Sequence, residues 1–358
     1  MPHSSPLLLG LELSGTGAHP ASWRRADSRA EELFDARYWV DALRAAEDAG
    51  LDLAFLPDSF ALQSEGALGR LDAVAVAARA AAPTRRIGLV PQASVTHTEP
   101  FHLSKAIASL DFASHGRAGW EVVVGVGEAA LFGRKPEQDD RSRWREADEA
   151  VEVVTRLWDS WDDDAEIRDR ATGRFIDRDK LHYIDFRGEH FSVKGPSITP
   201  RPPQGQPLVA VRAADPHSTR VAVHRADLIR IAAPDLTTAA TTRGELRAAV
   251  AAAGRDPNQV RVLLDLDIHL ADTVDAAAAE VAQLEEWIAT PAPPTIFHIG
   301  TVGELRDLLR QVGTDCAADG VVLRPLALHA ALDRLPALTR TLRERLGLPR
   351  PVGRYVHA

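Results

Sequence analysis

Short apolar segments alternate with longer amphipathic segments along most of the chain, and this alternation constrains the fold more than any other feature. The apolar segments lie at 7–13, 53–56, 87–90, 120–124, 208–211, 228–231, 260–268 and 321–323. Apolar residues then recur at three- and four-residue spacing, which is typical of helices that cover a sheet. Strands separated by helices run parallel, and strands that are apolar throughout are buried on both faces.

Eight such strand–helix units predict a closed (β/α)8 TIM barrel of the α/β class rather than an open sheet. No GxGxxG motif follows the first strand, which argues against a dinucleotide-binding fold. We expect a single domain over residues 1–358. Residues 162–206 break the alternation after the fourth unit, because they are rich in Asp, Arg and Pro and contain a hairpin pattern at 182–191. They are predicted to form an insertion laid over the barrel.

Composition argues against several classes of protein. The 51 acidic and 42 basic residues give a net charge of −9, which offers no basic face for nucleic acid. No run of 18 apolar residues and no signal-peptide pattern occur, so we expect no membrane association. The single cysteine, Cys316, excludes an intrachain disulfide and suits a reducing cytoplasm. We therefore predict a cytoplasmic protein whose ligand is a small molecule.

The carboxyl ends of the strands carry the site in a parallel barrel, so polar residues there are the candidates. They are Asp58 after the second strand; Gln92, Ser94, Thr96 and His97 after the third; Glu121 within the fourth; Asp140 and Trp144 on the helix that follows; and Arg212 and Asp215 after the fifth. Asp58 is either a general base, a ligand for a polar edge, or a helix cap. The histidines lack HxH or HExxH spacing, so no metal site is expected.

Glu121 stands out because it lies inside an otherwise apolar strand. A carboxylate at such a position faces either the polar mouth of the barrel or an arginine. Buried carboxylates are rarely left unpaired, so the pattern favours an ion pair with an arginine over a catalytic acid.

Several ordered segments resemble the bacterial-luciferase-like flavin monooxygenases, and within them the nitrilotriacetate, pristinamycin-IIA and dibenzothiophene-sulfone monooxygenase group. The segments include HPASWR (19–24), EPFHL (99–103), SHGRAGW (114–120), IDFRGEHF (184–191) and DGVVLRP (319–325). The resemblance implies a TIM barrel, usually a homodimer, that receives reduced FMN from a separate flavin reductase and oxidises a small organic substrate with O2.

The resemblance also assigns roles to the candidate residues. The cofactor-binding candidates are Asp58, Gln92, Ser94, Thr96, Asp140, Trp144, Arg212 and Asp215, and the catalytic candidates are Asp140, Glu121 and His97. In this assignment Asp58, Ser94 and Trp144 line the flavin ring, and the segment 211–215 corresponds to the phosphate loop. Arg212 pairs with either Asp215 or the phosphate, and Asp215 either faces the phosphate or caps the helix that begins near His217.

The chain departs from the family pattern at this pocket. Glu121 replaces an asparagine, Val124-Gly125 replaces Thr-Ser, Asp140 and Trp144 replace a histidine and a tyrosine, and Asp215 replaces a serine of the phosphate loop. Residues 268–295 are also shorter than the family segment that covers the substrate pocket. These departures predict weakened FMN binding. They leave two alternatives open: a degenerate barrel that acts as a cofactor-free enzyme or binding protein, and a deazaflavin-dependent oxidoreductase.

Overall fold

The computed structural model describes residues 7–338, in which strands and helices alternate as the sequence predicts. The strands are β1 (Leu8–Glu12), β2 (Leu53–Leu56), β3 (Gly88–Ser94), β4 (Gly119–Val123), β5 (Glu166–Asp169), β6 (Arg174–Ile176), β7 (Phe186–Arg187), β8 (Ser192–Val193), β9 (Leu208–Arg212), β10 (Leu228–Ile231), β11 (Arg261–Leu270), β12 (Phe297–Gly300) and β13 (Gly320–Pro325). The α-helices are α1 (Ala36–Asp48), α2 (Ala73–Ala81), α3 (Pro100–Ser114), α4 (Ala129–Phe132), α5 (Asp140–Trp158), α6 (Pro216–Arg225), α7 (Leu236–Ala252), α8 (Val274–Trp287), α9 (Val302–Thr314) and α10 (Leu328–Leu332).

Eight of these strands form a closed parallel barrel. Their hydrogen-bonded order is β1, β2, β3, β4, β9, β10, β11 and β13, and β13 pairs with β1 to close the ring. A helix follows each barrel strand, and the apolar faces of the helices pack against the outside of the sheet. The predicted (β/α)8 barrel is confirmed.

A ninth parallel strand, β12, lies beside the barrel. β10 pairs with β11 only as far as Leu264, whereas β11 continues to Leu270. The remaining part of β11 pairs with β12, which satisfies backbone groups that an open strand edge would leave unpaired. The apolar pattern at 295–299, which follows the Pro-rich stretch 290–294, predicts a short strand that corresponds to β12.

The inward-facing residues change character along the barrel axis. Every second residue of a strand faces the same side. An apolar cluster fills the lower interior and consists of Leu53, Phe55, Val90, Ala210, Leu228, Leu263 and Val322. Two positions further along the corresponding strands come Gln92, Arg212, Arg230, Asp265 and Arg324. The barrel is therefore apolar at its base and charged at its carboxyl-terminal mouth.

Residues 162–206 lie along α5, on the outside of the barrel wall. They contain two short antiparallel pairs, β5–β6 and β7–β8. The carboxylate of Glu149 in α5 accepts backbone hydrogen bonds from Glu189 (2.7 Å) and His190 (2.8 Å). Arg201 pairs with Asp159 at the end of the same helix, at 2.8 Å. These contacts hold the segment against α5.

The spacing of apolar residues after the last barrel strand predicts a helix over residues 328–346. In the structure α10 spans Leu328–Leu332, and residues 339–346 lie outside the described range. None of the helices between residues 7 and 338 has both the length and the apolar character needed to span a bilayer.

Candidate functional site at the barrel mouth

Seven charged side chains form a connected network across the mouth, here called the mouth network: Glu12, Glu121, Arg212, Arg230, Asp265, Asp267 and Arg324. Arg230 lies at its centre and is fully buried. Its Nη1 donates to Glu121 (2.9 Å) and its Nη2 to Glu12 (2.6 Å). Its Nε donates to Asp265 (2.9 Å). The guanidinium also stacks on Phe55, 4.7 Å from the ring centroid.

Ion pairing keeps the centre of the mouth network charged in spite of burial. Burial would raise the pKa of Glu12, but the three arginines of the network outweigh it and hold that pKa well below its usual range. Burial would lower the pKa of Arg230, but its three carboxylate partners raise it. Asp267 behaves differently, because burial raises its pKa and Arg324 only partly offsets the effect.

Asp58, just after β2, and Gln92, within β3, lie beside this network. The Asp58 carboxylate accepts hydrogen bonds from the backbone N–H of Ser59 (2.7 Å) and Ala73 (2.9 Å), so it orders the start of α2. Burial raises the pKa of Asp58. Gln92 connects the two parts of the site. Its Oε1 accepts from the backbone N–H of Asp58 (3.0 Å) and its Nε2 donates to Glu121 (3.0 Å).

Ser94 and His97 carry buried polar atoms that no residue between 7 and 338 satisfies, namely Ser94 Oγ and His97 Nδ1. His97 stacks on Phe132 with ring centroids 4.4 Å apart, and burial lowers its pKa. Thr96 is already engaged, since its Oγ1 accepts from the backbone N–H of Gly125 (2.8 Å). Buried polar atoms are normally paired, so Ser94 and His97 are candidates for contact with a polar ligand.

Glu128, which the sequence did not single out, fastens the loop after β2 to the loop after β4. Its Oε1 accepts from Ser59 Oγ (3.0 Å) and from the backbone N–H of Phe60 (2.9 Å) and Ala61 (3.1 Å). A Cβ on Gly125 would lie 1.9 Å from Oε2 of Glu128, so a larger residue there would require the Glu128 carboxylate to move. Glycine at the second position of the altered Thr-Ser pair leaves room for that carboxylate.

Asp140 and Trp144 lie on the first two turns of α5. The Asp140 side chain is 70% exposed and pairs with Arg143. Trp144 is half-buried and packs against the core between the helices and the sheet. The structure therefore places the Asp140 carboxylate in solvent, beside Arg143.

Asp215 caps helix α6. Its carboxylate accepts from the backbone N–H of His217 (2.7 Å) and Ser218 (3.1 Å), and Ser218 Oγ accepts from the backbone N–H of Asp215 (3.0 Å). These contacts form a capping box. Of the two roles that the sequence left open for Asp215, the helix cap is the one observed.

Arg212 does not pair with Asp215, one of the two partners that the sequence suggested. Its Nη2 contacts Glu12 (3.2 Å) and Asp265 (3.0 Å) instead of Asp215. The arginine expected beside Glu121 is Arg230, which sequence reasoning did not name. The signal that marks Glu121, a charged residue inside an apolar strand, also marks Arg230 in β10 and could have found it.

A closed parallel barrel with polar side chains gathered at the carboxyl ends of its strands defines a TIM-barrel protein, and enzymes with this fold carry their sites at that end. The chain belongs to the luciferase-like monooxygenase family, whose profile matches residues 16–321. The family recognised from its sequence segments is thereby confirmed.

Individual relatives agree with this assignment. The chain is 36% identical over 285 residues to N-acetyl-S-(2-succino)cysteine monooxygenase of Bacillus subtilis, covering 78% of this chain and 65% of that protein. It is 32% identical over 304 residues to nitrilotriacetate monooxygenase component A of Aminobacter aminovorans, covering 80% and 66%. The matches thus span about two thirds of these relatives. The crystal structure of a long-chain alkane monooxygenase, 19% identical, shares the fold with a TM-score of 0.87 over 97% of this chain and 93% of that one.

Proposed function

We propose that this chain is a two-component, flavin-dependent monooxygenase that takes reduced FMN from a separate flavin reductase and oxidises a small organic substrate with O2. Family membership supports the proposal, and one feature of the mouth carries it. The buried Ser94 Oγ has no partner within residues 7–338 and lies on the same strand as Gln92. An unpaired buried hydroxyl costs about 1–3 kcal/mol, which a polar ligand edge would recover.

The β2–β3 side of the mouth fits a flavin ring. Ser94 Oγ and His97 Nδ1 offer polar contacts, while Phe60 and Phe132 form an apolar wall with their rings 4.9 Å apart. A flat ligand with an apolar body and a polar edge needs such a combination. Ser94 and His97, with Asp58 and Gln92 behind them, would hold the ring.

The α6 side fits a phosphate less well. A free helix N-terminus attracts anions through its unpaired N–H groups and its dipole. Here Asp215 already pairs with the N–H groups of His217 and Ser218 and adds a negative charge. We therefore expect FMN to be held mainly through its ring and more weakly than a free helix end would allow.

Bound reduced flavin supplies the two electrons with which O2 delivers one oxygen atom to the substrate and the other to water. The residues of the chain would position the flavin ring at the barrel mouth. Ser94 Oγ would orient the ring edge, and the hydrogen bond from the backbone N–H of Asp58 to Gln92 keeps the loop after β2 in place. The stacked His97 and Phe132 rings would add apolar surface beside the ring. His97 can accept a proton at Nδ1, because burial lowers its pKa and keeps the ring neutral near pH 7.

Flavin titration of Ser94→Ala tests the proposal. Removing an unpaired hydroxyl should leave the melting temperature of the free protein unchanged or higher, and should weaken FMN binding about tenfold. Ser104→Ala is the matched control, because Ser104 is equally buried but donates to the carbonyl of Phe101 (2.8 Å). It should lower stability by about 1 kcal/mol and leave FMN affinity unchanged. Equal FMN affinity in Ser94→Ala and the wild type would contradict the assignment.

A second candidate function is a barrel that has lost flavin chemistry and acts as a cofactor-free enzyme or binding protein. Two observations favour it: Asp215 occupies the end of α6, and the Glu121–Arg230 pair stands where the family pattern has an asparagine. Titration of the wild type with oxidised FMN, reduced FMN and a deazaflavin decides between the candidates. No binding of any of them at millimolar concentration would support the second candidate.

The proposed protein partners are a flavin reductase and a second copy of this chain. The reductase would supply reduced FMN, so omitting it from the assay should abolish turnover. Adding photochemically reduced FMN in its place should restore turnover. Light scattering at micromolar concentration should give the mass of a homodimer. A monomer under those conditions would contradict the dimer.

A further inference from the structure

The charges of the mouth network are arranged in layers. Its four carboxylates, Glu12, Glu121, Asp265 and Asp267, have side chains that are at most 9% exposed, and Arg230 is fully buried. Arg212 and Arg324 are different, since 35% and 21% of their side chains reach solvent. A molecule that enters the mouth thus meets two guanidinium groups above a layer of buried carboxylates.

The two exposed arginines lie on either side of one carboxylate. Arg212 Nη2 contacts one oxygen of Glu12 and Arg324 Nε contacts the other, each at 3.2 Å. Arg324 Nη1 also lies 2.9 Å from Asp267 Oδ1, as an ion pair. Within residues 7–338, no hydrogen bond uses Nε or Nη1 of Arg212 or Nη2 of Arg324. Both side chains therefore keep donors for a further acceptor, held in place by the bonds they already make.

We infer that Arg212 and Arg324 bind a carboxylate group of the substrate at the barrel mouth. Arginine presents planar pairs of N–H donors that match the two oxygens of a carboxylate. The inference rests on the proposed function in one respect, namely that the carboxylate belongs to the molecule that is oxidised. It places the anionic end of the substrate on the β9–β13 side, opposite the polar groups proposed for the flavin ring on the β2–β3 side.

A carboxylate suits the charge of this network better than a phosphate does. With every member ionised, the network has three positive and four negative charges. A substrate carboxylate would add one negative charge beside two arginines. A phosphate would instead add a charge of nearly −2 close to Glu12 and Asp267. Inorganic phosphate is the competing oxyanion, and the experiment separates it from a carboxylate.

Calorimetric titration without flavin tests the inference. The probes are succinate, its neutral analogue succinamide and inorganic phosphate. Wild-type protein should bind succinate more tightly than phosphate and should not bind succinamide. Arg212→Gln and Arg324→Gln should each weaken succinate binding about tenfold or more, because each removes a charge-assisted hydrogen bond. Arg310→Gln is the matched control, since Arg310 is 31% exposed and pairs with Asp307 on α9; it should bind succinate like the wild type.

The variant Arg324→Lys distinguishes a loss of binding from a loss of folding. It keeps the positive charge beside Glu12 and Asp267 but loses the planar pair of donors, so it should retain the melting temperature and still weaken succinate binding. Equal binding of succinate and succinamide, tighter binding of phosphate, or unchanged succinate affinity in folded arginine variants would each overturn the inference. Failure of wild type to bind succinate would overturn it as well. A protein that binds succinate through these arginines but neither binds flavin nor consumes O2 would refute the proposed function alone.

Discussion

Glu121 on β4 and Arg230 on β10 form a fully buried ion pair, in which Nη1 of Arg230 lies 2.9 Å from Oε2 and 3.1 Å from Oε1 of Glu121. Gln92 donates a third hydrogen bond to the same carboxylate at 3.0 Å. Both oxygens of Glu121 are thus engaged by side chains of the barrel. We interpret Glu121 as a partner of Arg230 rather than as a free acid, the reading that the sequence favoured.

The first prediction concerns the stability of this pair. Arg230→Met leaves three buried carboxylates without their central cation, so it should lower the free energy of unfolding by about 3–5 kcal/mol. Urea denaturation measures the loss. Combining Arg230→Met with Glu121→Gln should cost less than the sum of the two single changes, by about 1 kcal/mol or more, because the residues are in contact. Additive effects would show that the pair is not coupled.

The second prediction concerns Asp215. Serine also caps helices, so Asp215→Ser should change the free energy of unfolding by less than about 0.5 kcal/mol. Removing the anion should raise FMN affinity about tenfold without changing riboflavin affinity, since riboflavin has no phosphate. Fluorescence titration measures both. Asp235→Ser, at the cap of α7 where Asp235 accepts from the N–H of Thr238 (2.7 Å), should leave FMN affinity unchanged. Low-micromolar FMN binding in the wild type with no gain in Asp215→Ser would refute the argument.

The third prediction is a loss of stability in acid that depends on Glu12. Its folded-state pKa is held far below the value of about 4.3 expected for an unfolded chain. The stabilisation is therefore complete above that pH and declines as the pH falls below it. Glu12→Gln should make unfolding free energy less dependent on pH below about 4.3, by up to about 1.4 kcal/mol per pH unit. Glu245→Gln, at an exposed position of α7, should show the wild-type pH dependence.

The fourth prediction tests the catalytic role assigned to Asp140. An ionised carboxylate only accepts hydrogen bonds, whereas a ring N–H of histidine donates one. If Asp140 stands at the catalytic position, Asp140→His should raise the yield of oxidised product per reduced FMN consumed, about twofold or more. Arg141→His, at the next exposed position, is the control. If the yield is unchanged with flavin bound, Asp140 has no catalytic role, which would agree with its exposed location.

Much of the fold could be predicted because it depends on local order. Strands and helices differ in the period of their apolar residues, and that period is readable in any single segment. Asp215 is a similar case, since a helix cap involves residues within three positions of one another. Eight such units leave few arrangements other than a barrel.

The site depended on contacts that no local pattern contains. The sequence predicted that Glu121 pairs with an arginine, but it did not determine which of the many arginines of the chain lies beside it. Arg230 meets Glu12 across 218 positions, and Arg324 meets the same carboxylate across 312. By itself, the sequence determined where charges enter apolar strands. Only closure of the barrel decided which charges face one another, because the inward side chains of all eight strands converge in one space and each buried charge must find its partner there.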